Sequence, residues 1–260
     1  MRTIAYRGEI WSGPAVAPGL WDLLLQKDLL LELAAGEPPY RVILGVPHHA
    51  APGVDCIAEN WIQPGGEKPG RPADEIAGLT GLAVLQALSE QGIPTRLVIA
   101  AHATDHDPNK TPGSPYWQSI FAHSSGPASP ILLFELHGAG MRRHYDLELS
   151  AGRNRVSAPL AFGEVLAASI PGAWRLAVQS RPGTSAGYLF HPDRRAIRLE
   201  NPALGTQSLS HAGELGMPAL HLEMKTFLRQ PDADFSASPR PAPAAWILAR
   251  AIAAVIKMIY

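Results

Sequence analysis

The feature that most constrains this chain is an apolar strand that stops on two imidazoles, Val42-Ile43-Leu44-Gly45-Val46-Pro47-His48-His49. So uniform a run reads as a parallel-sheet strand buried on both faces, and open sheets of that kind place ligands at the carboxyl ends of their strands. Two further runs follow the same plan. Ile131-Leu132-Leu133-Phe134-Glu135-Leu136 ends on His137-Gly138, and Pro218-Ala219-Leu220-His221-Leu222-Glu223-Met224-Lys225 carries a histidine and a carboxylate two residues apart. Two histidines and a glutamate brought to one sheet edge are the side chains a hydrolytic zinc site needs.

The stretches between these runs predict an alternation of helices and strands. Trp21 to Ala35 is rich in leucine and reads as a helix ending at Gly36. Arg41–Pro47 is the first strand, and the Pro/Gly-rich segment from Ala50 to Arg71 reads as a long functional loop. Pro72-Ala73-Asp74-Glu75 predicts a helix start, with proline in the first turn, acids near the amino end and a stop at Gly92. Thr95–Ala101 is a strand that empties into the polar loop from His102 to Lys110, and Tyr116–His123 is a short helix. Tyr145–Leu149 and Trp174–Val178 are strands, Pro159–Ile170 and Thr206–Gly216 helices, and Arg181–Gly187 a loop. From Ala244 to Tyr260 the pattern is amphipathic, with Arg250 and Lys257 seven residues apart on one helical face. The class is α/β: a single three-layer domain over residues 1–260, its sheet mixed and largely parallel with helices flanking it.

Composition narrows the chemistry. A chain of 260 residues can bury one large core. A formal net charge of −1 gives no global field to recruit nucleic acid or an anionic membrane, so neither is expected as a partner. A single cysteine, Cys56, excludes an intrachain disulfide and fits a reducing cytosol. The first residues show no signal-peptide pattern, and the C-terminal stretch is short for a membrane span. There is no Gly-x-Ser-x-Gly elbow and no phosphate-binding glycine loop.

Candidate residues follow from position. His48 and His137, at matching strand ends, read as metal ligands rather than as two separately satisfied histidines. His49 must point elsewhere, toward substrate or behind the ligands. The third ligand is open among Asp74, Glu75 and Asp55. Glu223 shares a strand face with His221 and suits a general base acting on a metal-activated water, while Glu135 shares a face with His137 and suits its support. Asn109 and Lys110 offer an amide and a cation to a substrate carboxylate, against the plainer reading of Asp107-Pro108-Asn109 as a turn. Arg142, Arg143, Arg153 and Arg155 add cations beyond the His137 strand.

In this ordered succession the chain resembles the N-formylglutamate amidohydrolase family, itself similar in fold to the zinc carboxypeptidases. Val46-Pro47-His48-His49-Ala50 looks like that family's Pro-His-Ser-Gly strand end, with His49 where serine is usual. Asp74-Glu75 sits where the family has an acid, and Asp107-Pro108-Asn109-Lys110 is similar to its Asp-x-Asn-Arg element. Glu135-Leu136-His137-Gly138 is similar to Asp-x-His-Ser, and Leu220-His221-Leu222-Glu223-Met224-Lys225 through Leu228-Arg229 looks like the strand with the catalytic glutamate and a following Leu-Arg. The resemblance implies a mixed eight-stranded-type sheet, one zinc ion per chain, and hydrolysis of an amide on a small carboxylate-bearing amino-acid derivative. It assigns metal binding to His48, His137 and an acid at 74 or 75, general-base work to Glu223, and the substrate carboxylate to Asn109 with Lys110. Lysine in place of arginine loses the bidentate fork and puts N-formylglutamate itself in question. The alternatives are a related peptidase or deacylase, a metal-binding sensor without catalysis, and a metal-free protein with structural histidines.

Overall fold

The computed structural model describes residues 1–62, 66, 69–101, 105–122, 132–139, 146–157, 159–170, 197–198, 205–232 and 239–259. The expected strand at Trp174–Val178, the loop at Arg181–Gly187, and Arg142 and Arg143 lie outside the described residues.

Among the described residues eight strands make one sheet: β1 (Arg2–Tyr6), β2 (Leu29–Ala35), β3 (Val42–Val46), β4 (Thr95–Ala100), β5 (Leu132–Gly138), β6 (Leu147–Ser150), β7 (Ile197–Arg198) and β8 (Ala219–Met224). Their order across the sheet is β1-β2-β4-β3-β5-β8-β6-β7. The β2–β4 and β6–β8 pairs are antiparallel and the other neighbours parallel, which is the mixed, largely parallel sheet expected. Among the described residues the α-helices are α1 (Pro18–Leu24), α2 (Ala77–Glu90), α3 (Pro115–Phe121), α4 (Pro159–Ser169), α5 (Gln207–Glu214) and α6 (Pro243–Ile259).

Strand alternation sorts the side chains into two cores. Leu29, Leu31 and Leu33 of β2, Leu132, Phe134 and Leu136 of β5, and Leu220, Leu222 and Met224 of β8 pack with α2, α4 and α6. The other face sets Leu30, Ile43, Val98, Leu133 and Ala219 against Tyr116 and Ile120 of α3 and Leu209 and Ala212 of α5. That second face changes character along the strands. Leu133 gives way to Glu135 and His137, and Ala219 to His221 and Glu223, so the apolar layer ends in a polar floor at the strands' carboxyl ends.

Three expectations are corrected. The leucine run at 21–35 is not one helix: α1 ends at Leu24, Asp28 takes a positive φ of 57°, and Leu29–Ala35 becomes a strand. Leucine serves helix and strand alike, and β2 is fixed by pairing with β1 on one side and β4 on the other. The segment 50–71 is not all loop, because Cys56–Ile62 pairs antiparallel with Pro69–Pro72. Asp74 and Glu75 do not open α2. They form a two-residue strand parallel to His49–Ala50, and the helix begins at Ala77 after Ile76 in a left-handed conformation. The C-terminal segment is the amphipathic helix expected, with Leu248, Ile252 and Ile256 buried and Arg250 and Lys257 exposed.

Candidate metal centre

β3, β5 and β8 are consecutive neighbours and run parallel, so the chain just after β3 and the ends of β5 and β8 meet. His137 and Glu223 are register partners across β5 and β8, as are Glu135 and His221. His48 follows β3 after Pro47, and its carbonyl accepts from Asp74 N at 2.8 Å. Consecutive residues of an extended segment point to opposite sides, so only one of Asp74 and Glu75 can face His48. It is Asp74. Glu75 turns away and accepts from Gly53 N at 2.9 Å, and Asp55 is exposed.

The result is a small triangle of donor atoms. His48 Nδ1 and His137 Nδ1 are 3.1 Å apart, and Asp74 Oδ2 lies 3.4 Å from the first and 3.3 Å from the second. All three residues are buried, and Asp74 Oδ2 faces both imidazoles at distances longer than a good charge-assisted hydrogen bond. Four-coordinate zinc with bonds of about 2.0–2.1 Å separates its ligand atoms by about 3.3–3.4 Å. Two imidazole nitrogens and a carboxylate oxygen at these spacings fit such an ion.

Carboxylates hold the far side of each ring. His48 Nε2 lies 2.8 Å from Asp107 Oδ1, and His137 Nε2 lies 3.7 Å from Glu135 Oε2. A carboxylate behind a ligating imidazole fixes its orientation and raises its basicity. Glu135 is fully buried yet well supplied with donors: Tyr116 Oη and Ser208 Oγ donate to its Oε1, each at 2.9 Å, and Asn109 Nδ2 to its Oε2 at 3.2 Å. Gly45 makes this possible, because a Cβ there would collide with Tyr116 Oη and crowd Glu135 Cγ at 3.1 Å.

The electrostatics agree with the geometry. Burial would raise the Asp74 carboxyl, but hydrogen bonds to His137 and His48 and their charge hold it well below the usual range. Burial likewise opposes ionisation of Asp107, which His48, Lys110 and Arg71 overcome. For His137, burial favours the neutral ring, yet Asp74 and Glu135 raise its pKa to about 9. His221 goes the other way, to about 4, through burial and the neighbouring charge on His137. His221 is therefore neutral at pH 7, with its Nε2 3.4 Å from Glu223 Oε1.

Glu135, His137 and His221 form a second cluster of donor atoms. The rings of His137 and His221 are stacked 3.9 Å apart at 12°, so their nitrogen lone pairs run side by side rather than converge. Asn109 Nδ2 already serves Glu135 and lies 3.4 Å from His137 Nε2. The first cluster is the better ion site.

One substrate-facing expectation is corrected. His49 is 1% exposed, with Nε2 2.8 Å from Leu24 O and Nδ1 accepting from Gly78 N at 3.1 Å, so it braces α1 against α2. The Asn109 amide nitrogen faces inward, to Glu135 and His137. Lys110 is at the rim with its side chain 21% exposed, 3.4 Å from Asp107 Oδ2 and over the Trp61 ring. Arg153 and Arg155 are exposed at the surface. Two residues of the site stand in the sequence motifs but were given no role there, Asp107 behind His48 and Arg229 beside Asp74. For Asp107 the signal was its place two residues before Asn109.

No protein-family model matches the chain, and no curated protein matches it. Among solved structures it is similar to an N-formylglutamate amidohydrolase from Ralstonia eutropha JMP134, at 12% identity and a TM-score of 0.45, over 88% of this chain and 96% of that one. It is also similar to a metallo-carboxypeptidase from Burkholderia cenocepacia, at 14% identity and a TM-score of 0.41, over 87% of this chain and 60% of the other. A bacteriophage poly-gamma-glutamate hydrolase is similar at 12% identity and a TM-score of 0.40, over 89% of each chain. Likeness at this level says nothing of substrate, and the chemistry has to come from the residues themselves.

Proposed function

We propose that this chain is a zinc-dependent amidohydrolase that cleaves an N-acyl or peptide-like amide of a small amino-acid derivative bearing a carboxylate. One observation carries the reading: His48 Nδ1, His137 Nδ1 and Asp74 Oδ2 form a buried triangle with edges of 3.1–3.4 Å, with Glu223 on the strand beside it. These three residues would hold one ion per chain. When bound, zinc supplies Lewis acidity to a carbonyl oxygen and lowers the pKa of a water.

The remaining work falls to the chain's own groups. Glu223, its side chain 18% exposed, takes the proton of the attacking water on a carboxylate oxygen and returns it to the departing amine. His221 donates from Nε2 to Glu223 Oε1 at 3.4 Å, which orients that carboxylate. Asp107 and Glu135 keep the two imidazoles in place, and Asn109 steadies Glu135 and His137. Lys110 is the cation proposed to meet the substrate carboxylate. The proposed setting is the cytosol, which the one free cysteine suits. Among the described residues no helix is long and apolar enough to cross a membrane.

The test is a screen of zinc-loaded protein against N-formyl and N-acetyl amino acids, acidic ones first, and C-terminal dipeptides, with Glu223→Gln as control. The reading predicts turnover of an amide substrate that falls about 10²–10⁴-fold in Glu223→Gln while zinc stays bound. Turnover unaffected by Glu223→Gln would contradict the assigned role.

A further inference from the structure

The two histidines of the centre are anchored on or beside long strands of the main sheet, whereas Asp74 belongs to a two-residue strand outside it. A ligand placed there has to be held by something else. On one side, Asp74 N donates to His48 O at 2.8 Å and Ile76 N to Ala50 O at 2.9 Å. On the other side is Arg229, 5% exposed, just after the short 3₁₀ turn Thr226–Leu228 that follows β8. Its Nη1 donates to Glu75 O at 2.5 Å and its Nε to Met224 O at 3.2 Å, so the guanidinium joins the Asp74–Glu75 strand to the end of β8. The end of β5 makes room for it: a Cβ on Gly138 would lie 2.7 Å from Arg229 Cζ and 2.8 Å from Asp74 Oδ1.

We infer that Arg229 is a positioning residue of the metal centre, bracing the Asp74–Glu75 strand to β8 so that Asp74 Oδ2 stays against His48 and His137. The inference rests on reading His48, Asp74 and His137 as the metal ligands. The planar guanidinium spans two carbonyls from different elements, and a lysine ammonium has no fork to do the same. Burial works against the Arg229 charge, and the carboxylates of Asp74, Glu75 and Glu223 support it. Its cationic group therefore sits where the acidic end of the site is densest, which ties the ligand's position to the strand that carries Glu223.

The test compares Arg229→Met, Arg229→Lys and Thr80→Val with the wild type. Zinc affinity is measured by competition with a chromophoric chelator, and ligand geometry by the visible spectrum of the cobalt(II)-loaded protein. Thr80→Val removes a hydrogen bond from Thr80 Oγ1 to Leu228 O at 2.8 Å, in the same neighbourhood but without touching the brace. The brace predicts about 10–100-fold weaker zinc binding and an altered cobalt band in Arg229→Met. Arg229→Lys keeps the charge, guards against a methionine variant that does not fold, and should recover only part of the affinity. Thr80→Val should lower the thermal midpoint and leave affinity and spectrum unchanged. Wild-type affinity and spectrum in both Arg229 variants would overturn the brace and leave the metal centre standing. An equal loss in Thr80→Val would also overturn it, because affinity would then merely follow stability. A wild-type protein that takes up neither zinc nor cobalt would overturn the metal centre itself, and the brace with it.

Discussion

His48 Nε2 and Asp107 Oδ1 are 2.8 Å apart, both fully buried, while the other nitrogen of the same ring faces His137 and Asp74. The imidazole is thus gripped from behind by one carboxylate and presents Nδ1 to the centre. Asp107 is itself flanked by Lys110 at 3.4 Å and Arg71 at 3.8 Å, which keeps it ionised in a buried position. Asp107→Asn should preserve the shape and weaken this grip, costing about 10–100-fold in zinc affinity with little change in the secondary-structure signal. Chelator competition and far-ultraviolet circular dichroism check the two halves. Undiminished zinc affinity would mean that His48 does not depend on Asp107.

Protons should compete with metal at this centre. In the metal-free protein His137 binds a proton more tightly than a free histidine, with a pKa of about 9 against 6.5. A raised pKa stabilises the folded state fully below the unfolded value and loses that contribution as pH rises through the folded one. The metal-free thermal midpoint should therefore decline between pH 7 and 9.5 from this group. Zinc uptake at pH 7 should eject about one proton from His137, since a ligating imidazole must be neutral. Titration calorimetry in buffers of different ionisation enthalpy reads the proton count. Heats independent of buffer would contradict the charged ring.

Gly45 carries a steric prediction. Any side chain there drives into Tyr116 Oη, which must move off Glu135. Gly45→Ala should cost about 1–3 kcal/mol by overpacking. Tyr116→Phe, which removes one of several donors to a buried carboxylate, should cost about 1–3 kcal/mol. Combining the two should cost less than the sum, because the clash is with the hydroxyl that Tyr116→Phe deletes. Denaturant titration of the four proteins measures it, and strict additivity would contradict the contact.

The strand ends were the legible part of this site. Buried parallel strands leave unbroken apolar runs, and the polar residues that interrupt them, His48, His137 and Glu223, stand out against that background. The choice between Asp74 and Glu75 was not legible, because it depends on pairing with His49–Ala50, some two dozen residues earlier. His49 looked functional only because it adjoins His48. Its actual partners, Leu24 and Gly78, come from two helices whose positions no local pattern predicts. The leucines at 29–33 misled for a different reason: they suit a helix by propensity, and the neighbouring strands decide otherwise. Arg229 was legible only as the Leu-Arg after the Glu223 strand, and its role comes from carbonyls at Met224 and Glu75 that only the fold brings together.

The most direct test of the central claim is the metal content of the purified protein, measured by mass spectrometry after zinc loading and desalting, beside a His48→Ala/His137→Ala double variant. The account predicts near one zinc per chain in the wild type and essentially none in the variant. Absence of stoichiometric zinc in the wild type, or its retention in the double variant, would contradict it.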